Sequence, residues 1–384
     1  TVSGAVGTDI GTLTLQENAA GGSGAVSLQG NVAANTLTTF AQAYDVSLTG
    51  AVNSISTDTT FLNTGAITVG DESTDSSTFA GGLDTTAGGT ENFAGTVAAT
   101  DNQIDIGVAS VTADATIDGG TGAINTAALT VADAATLTVG TGAVGAPTIA
   151  SVTGANGGGA ASNLTLNSAG VASVGAVGTN IGTVTVTQSG GTTFSSTVDA
   201  AAVTLTDTTG TIQFDGALTA TDLNTAAQGY GVSLLGGSTI SNAVTFSNTG
   251  TTQIGDATGD TNTFNGGVTA TAGAVTASGS VVTSEDNLAL GAVTLVEAQT
   301  LTLDTANTGG GNITVASLTG VTGGSSENIT LESGSGTITV SGAVGTDIGT
   351  LIVTQSGGTT FASTVGAATV NLTDTTGTVQ FDGA

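Results

Sequence analysis

Apolar residues alternate with Thr or Ser in short runs along the whole chain. Examples are Thr12-Leu-Thr-Leu, Thr183-Val-Thr-Val, Val203-Thr-Leu-Thr, Thr300-Leu-Thr-Leu, Asn312-Ile-Thr-Val and Asn328-Ile-Thr-Leu. A period of two among β-branched residues predicts strands with one buried face. Clusters such as Ser189-Gly-Gly-Thr, Asp207-Thr-Thr-Gly and Gly309-Gly-Gly-Asn lie between them. Such residues supply the positive φ that corners need. Good helix formers are sparse outside the strands. The pattern points inward Leu13, Leu15, Val184, Val186, Val203, Leu205, Ile212, Phe214, Leu301, Leu303, Ile313, Val315, Leu351 and Val353.

The pattern also repeats at long range. GAVGTDIGTLTL at Gly4 returns as GAVGTNIGTVTV at Gly175 and as GAVGTDIGTLIV at Gly342. Residues 175–217 match 342–384 at 35 of 43 positions, and Thr1–Leu13 is identical to Thr339–Leu351. The repeats run 4–174, 175–341 and, in part, 342–384.

The offset between the first two copies drifts. It is 171 at Gly4/Gly175, 186 at Tyr44/Tyr230, 185 at Phe61/Phe246, 164 at Leu137/Leu301 and 167 at Gly175/Gly342. The second copy therefore gains a block early and lacks one of roughly 20 residues between Ala87 and Leu129. A closed barrel or sandwich seldom tolerates such slips, whereas a solenoid does, because each coil touches only its neighbours. The expectation is an all-β fold, one continuous parallel β-solenoid over 1–384 with coils of roughly 20 residues. About 19 such coils at ~4.8 Å each make a rod on the order of 90 Å long.

Composition removes many functions. The 384 residues contain 29 Asp and Glu but no Lys, Arg or His, for a net charge of −29. Without cations there is no electrostatic footprint for nucleic acid. Without His, Cys or Lys there is no ordinary zinc site, thiol chemistry, Ser-His triad, P-loop lysine or Schiff base. No apolar run is long enough to cross a bilayer, so no membrane insertion is expected. Absent Cys suits an exported protein that folds without disulfides. The first residue is Thr, and Met occurs nowhere. The chain is thus expected to be a processed product or a window of something longer. So dense a negative charge should attract divalent cations.

The run VTFSNTGTTQIGDATGDTNTFNGGVTATAG, Val244–Gly273, resembles the β-strand repeats of giant bacterial surface proteins. Alternating Thr strands, Gly-rich corners and few aromatics are similar to filamentous-haemagglutinin-like and autotransporter-like β-solenoid adhesins. The resemblance implies a right-handed parallel β-helix on, or released from, a bacterial cell surface. It carries no catalytic motif.

The sharpest acidic motif is Gly-Asp-x3-Asp-x2-Thr-Phe, which places Asp71 with Asp75 and Asp256 with Asp260. Paired carboxylates on a turn suit calcium, which prefers oxygen ligands; the plainer reading is a solvated, Asp-rich corner. The Gly119-Gly-Thr-Gly segment resembles half of a calcium-binding nonapeptide but lacks the Asp that should follow. Asp207 and Asp215 lie on neighbouring strand segments, with copies Asp374 and Asp382, and carboxylate pairs on such a scaffold can hydrolyse glycosides. Their repetition favours corner solvation, since an active site is usually a single break in a pattern. Thr-x-Thr runs would make an ice-binding array if they aligned on one flat face, but their uneven spacing argues for ordinary outward Thr. Asn-x-Thr triplets at Asn163, Asn312, Asn328 and Asn371 are glycosylation acceptors by pattern alone. The two tyrosines, Tyr44 and Tyr230, read as packing residues with a hydrated hydroxyl.

The expected function is therefore that of a non-enzymatic structural or adhesive extracellular protein, a rod segment of a surface fibre, sheath or filament. Its partners would be copies of itself, head to tail or laterally, and host or matrix glycans. The alternatives are a polysaccharide-acting enzyme on the same scaffold, or a module binding ice, sugar or calcium.

Overall fold

A computed structural model describes residues 1–16, 21–143, 145–306, 309–323 and 326–383. Among them every regular element is a strand, and the strands form a parallel β-solenoid of about 17 turns with roughly 21 residues per turn. The turn is longer than the slip size implied, so there are fewer turns than the 19 expected. The chain divides into two compact units, Thr1–Thr192 and Thr193–Ala384, and each is described by itself.

In the first unit most turns offer three strand positions, each stacked in parallel register on the turn before. One column runs Val46, Ile67, Glu91, Ala109, Leu129, Val152. A second runs Ser77, Val97, Ile117, Val139, Leu166, Val186. A third runs Thr59, Leu83, Ile104, Ile124, Pro147. In the second unit the column Val232, Thr252, Val275, Val293, Leu318 stacks in the same way.

The alternation places the core as expected. Of the fourteen residues predicted to face inward, all but Leu13 are buried. Leu13 is half-buried, because its strand, Val6–Thr14, pairs along one edge only, with Val32–Thr38. Phe194 and Phe361 are both fully buried, as the repeat requires. Each stacks on the aromatic of the next turn: Phe194 on Phe214 at 4.8 Å, Phe361 on Phe381 at 5.2 Å.

The two long repeats reuse the same devices. Phe61 meets Phe79 edge-on at 6.2 Å, and Phe246 meets Phe264 edge-on at 6.2 Å. Buried Asn53 donates to the Ser77 hydroxyl at 3.0 Å, whereas buried Ser238 donates to Asn262 Oδ1 at 2.8 Å. The Asn and the Ser have exchanged turns, and the polar rung between turns survives. Gly70 and Gly255 have φ of 74° and 75°. At each a methyl group would strike a backbone carbonyl one turn on, Ala94 or Ser278. No other residue type satisfies both conditions.

Register also locates the slips. Gly95 pairs with Ala115, and Ala115 with Leu137, two steps. Its counterpart Gly279 pairs directly with Leu301, one step. The first repeat thus carries one extra turn at Ala109–Asp118. The earlier slip shows in the tyrosines. Tyr44 reaches back to the Leu15 carbonyl, but Tyr230 reaches Leu205 rather than Val186, the residue that sequence alignment sets against Leu15.

Candidate functional site

The acidic motif forms the same loop twice. Asp75 Oδ2 accepts the Asp71 and Glu72 amides at 2.9 and 3.1 Å. Asp260 Oδ2 accepts the Asp256 and Ala257 amides at 2.9 and 2.8 Å. The second Asp of each pair therefore closes its own loop, and Asp75 is buried by it. Asp71 and Asp256 stay exposed at the loop start. Partial desolvation, then the neighbouring Asp75 carboxylate, raises Asp71 above the usual range; desolvation and Asp260 do the same to Asp256. Each pair is thus brought together, with one oxygen of the inner Asp already holding two N–H groups. Among the described residues, no group of three or more His, Cys, Asp or Glu is placed to hold a metal.

The other sequence candidates resolve into structural roles. Asp207, Asp215, Asp374 and Asp382 are all exposed. Gln213 donates to Asp215 at 2.5 Å and Gln380 to Asp382 at 2.7 Å, the same local contact in both copies. The Gly119 segment is a turn clipped by aspartates: Asp118 accepts the Gly120 amide and Asp101 the Thr121 amide, both at 2.9 Å. The Asn163 and Asn312 side chains accept the amides of Thr183 and Thr337 on the next turn, at 3.0 and 2.9 Å.

The Thr-x-Thr runs do align. Thr96, Thr116, Thr138, Thr165 and Thr185 are successive register partners on five turns, all half-exposed. A second rank, Thr136, Asn163 and Thr183, lies two residues away on the same face. The uneven spacing in sequence is taken up at the corners and at register shifts flanking the ladder, between Phe93 and Gly95 and between Ser162 and Asn163.

Sequence reading missed the buried acids. Glu91 is 1% exposed, with Oε2 accepting the Thr85 hydroxyl at 2.6 Å and the Gly107 amide at 3.2 Å, and Oε1 without a partner. Desolvation pushes it up to about 7, against the lowering effect of those two hydrogen bonds. Gly107 lies against it, and a methyl group there would meet Oε1 and force the carboxyl to shift. In the other repeat the same register positions hold Val275 for Glu91 and Ala270 for Thr85, both buried. Comparing the repeats residue by residue after correcting for the slips would have revealed the change. Glu327 is a second buried carboxyl, with Oε2 unpartnered, where the first repeat has Ser162.

Beside Glu91 lies a groove of about 580 Å³ whose lining includes Thr86, Asp105, Gly107, Val108, Asn125 and Thr126. Asp105 also walls a neighbouring hollow of about 280 Å³ shared with Asp58 and Asp84. No family model matches the chain, and no curated protein or solved structure matches it.

Proposed function

We propose that the chain is a structural and adhesive segment of an extracellular bacterial fibre, sheath or filament, made of stacked coils that associate with further copies of themselves. The observation that supports this is repetition. The tyrosine clamp, the edge-on phenylalanine pair, the Asn–Ser rung and the aspartate-closed loop each occur in both long repeats. The first three hold one turn to the next and the fourth closes a corner, so lengthening the stack is what they accomplish together. Calcium between Asp71 and Asp75, and between Asp256 and Asp260, belongs to the same reading as a neutraliser of the acidic surface. Electron microscopy of the concentrated protein and of producing cells tests it. Filaments or stalks labelled by an antibody to the chain are expected. Dispersed particles at every concentration, together with cleavage of a polysaccharide, would replace it with the enzyme reading.

A second reading has its own observation, the Thr ladder. Turns ~4.8 Å apart and alternate strand residues ~6.6 Å apart make a rigid lattice of hydroxyls and methyls. Such a lattice can hold water in ice-like order. Inhibition of ice recrystallisation, abolished by Thr138→Lys in the middle of the ladder, is the expected result. Its absence removes the reading.

A further inference from the structure

The groove beside Glu91 and the hollow that shares Asp105 with it depart from the repeat in one chemical direction. Register sets Ala243 at the place of Asp58, Thr269 at that of Asp84 and Ala289 at that of Asp105. Coils of this type therefore stack without the three aspartates. Asp84 and Asp105 are direct partners on consecutive turns, ~4.8 Å apart along the stack. Like charges set opposite each other in a sheet destabilise it. Amides contact this pair: Gln103 and Asn125 donate to Asp105 at 2.7 to 2.9 Å, and Thr86 donates to Asp84 through its amide and hydroxyl. No cationic side chain is available anywhere in the chain.

The rest of the groove is two-sided. Val108 is 65% exposed in it, and Ala127 and Ala150 extend the apolar wall. Thr86, Asn125 and Thr148 add hydrogen-bonding groups from successive turns. A volume of about 580 Å³ lies within the range of small-molecule sites.

We propose that this groove binds an amine-bearing sugar, as a residue of a cationic polysaccharide. The ammonium sits against Asp105, the carboxylate that lines both this groove and the hollow holding its register partner Asp84; the C–H face of the ring lies on Val108, and ring hydroxyls meet Asn125 and Thr148. Acidic ligands are repelled by the net charge of −29. A lysine side chain supplies the ammonium but leaves the spread of hydroxyl and amide partners unused. The inference gives the adhesive reading its ligand class and rests on that reading only for its biological setting.

Titration calorimetry on the full chain, dispersed at low concentration, tests it without requiring any filament. Glucosamine tetramer is expected to bind, with affinity falling at high salt. Asp105→Ala and Asp84→Thr, which install the residues of the other repeat, should each weaken it at least tenfold. Asp304→Ala, a change of equal charge elsewhere, should leave it unchanged. No binding of the glucosamine tetramer overturns the proposal, as does equal binding of the N-acetylated tetramer or of tetralysine. An equal loss in Asp304→Ala reduces the effect to bulk charge and overturns it as well. A chain that binds the sugar yet never forms filaments removes the fibre reading and keeps the groove.

Discussion

The Tyr44 hydroxyl donates to the Leu15 carbonyl at 3.1 Å and accepts the Phe40 amide at 3.0 Å. Tyr230 makes the same pair of bonds, to Leu205 at 3.0 Å and from Ala226 at 2.9 Å. Both side chains are fully buried, so these hydroxyls are not hydrated as the sequence suggested. They satisfy backbone groups where the chain leaves one strand and enters the next. Tyr44→Phe takes the hydroxyl from the Phe40 amide and the Leu15 carbonyl, whereas at the other site the Ala226 amide also donates directly to the Leu205 carbonyl at 3.0 Å. A loss of about 1–3 kcal/mol is expected for Tyr44→Phe, and a smaller one for Tyr230→Phe, in urea unfolding. Equal losses at the two sites would show that the direct Ala226–Leu205 bond does not compensate for the missing hydroxyl.

The stacked phenylalanines separate position from chemistry. Phe214 is fully buried on Phe194, whereas Phe381, its copy, is 48% exposed beside Phe361. Phe214→Ala should cost about 3–5 kcal/mol, the usual range for a buried Phe. Phe381→Ala should cost well under half of that. Equal losses in denaturant titrations of the two variants would mean that the Phe381 ring is covered in solution.

Much of this architecture was legible in the sequence because strand alternation and repeat slips are both local signals. Val184, Val186, Leu301 and Leu303 point inward for the reason their period of two implies. What escaped was any relation between turns. Whether Thr138 stacks on Thr116 depends on how many residues each corner absorbs, and the sequence does not mark that. The pairing of Asp84 with Asp105 was hidden in the same way. Glu91 was lost for another reason. A lone Glu beside Asn and Phe reads as surface, and burial became visible only with Thr85 and Gly107 placed around it.

The aspartate-closed loops allow structural and ionic roles to be told apart. Asp75→Ala strips two amides of their acceptor, and a loss of about 1–3 kcal/mol is expected whether or not calcium is present. Asp71→Asn removes the like charge beside Asp75 and should be neutral or mildly stabilising in chelator. If calcium sits between the two, the wild type melts at a higher temperature with calcium than in chelator, and Asp71→Asn loses that difference. Identical wild-type melting curves in calcium and in excess chelator remove the ion from the account.

Glu91 makes the stability of its coil depend on pH in a direction opposite to most paired carboxylates. Its folded value is raised to about 7 from an ordinary 4.5, chiefly by burial. The folded state therefore holds a proton that the unfolded state releases between those values. The stabilising contribution is fully present below about 4.5 and is lost as pH rises through 7. Across that window the change is of order 3 kcal/mol. The double variant Thr85→Ala/Glu91→Val carries the apolar pair found at Ala270 and Val275 and has nothing to titrate there. Other carboxylates titrate equally in both proteins and cancel in the difference. The double variant should gain stability over the wild type by about 3 kcal/mol between pH 4.5 and pH 8.5, measured by urea unfolding at each pH. A difference that stays constant over that range would mean that Glu91 ionises in the folded state as readily as in the unfolded one, with water reaching Oε1.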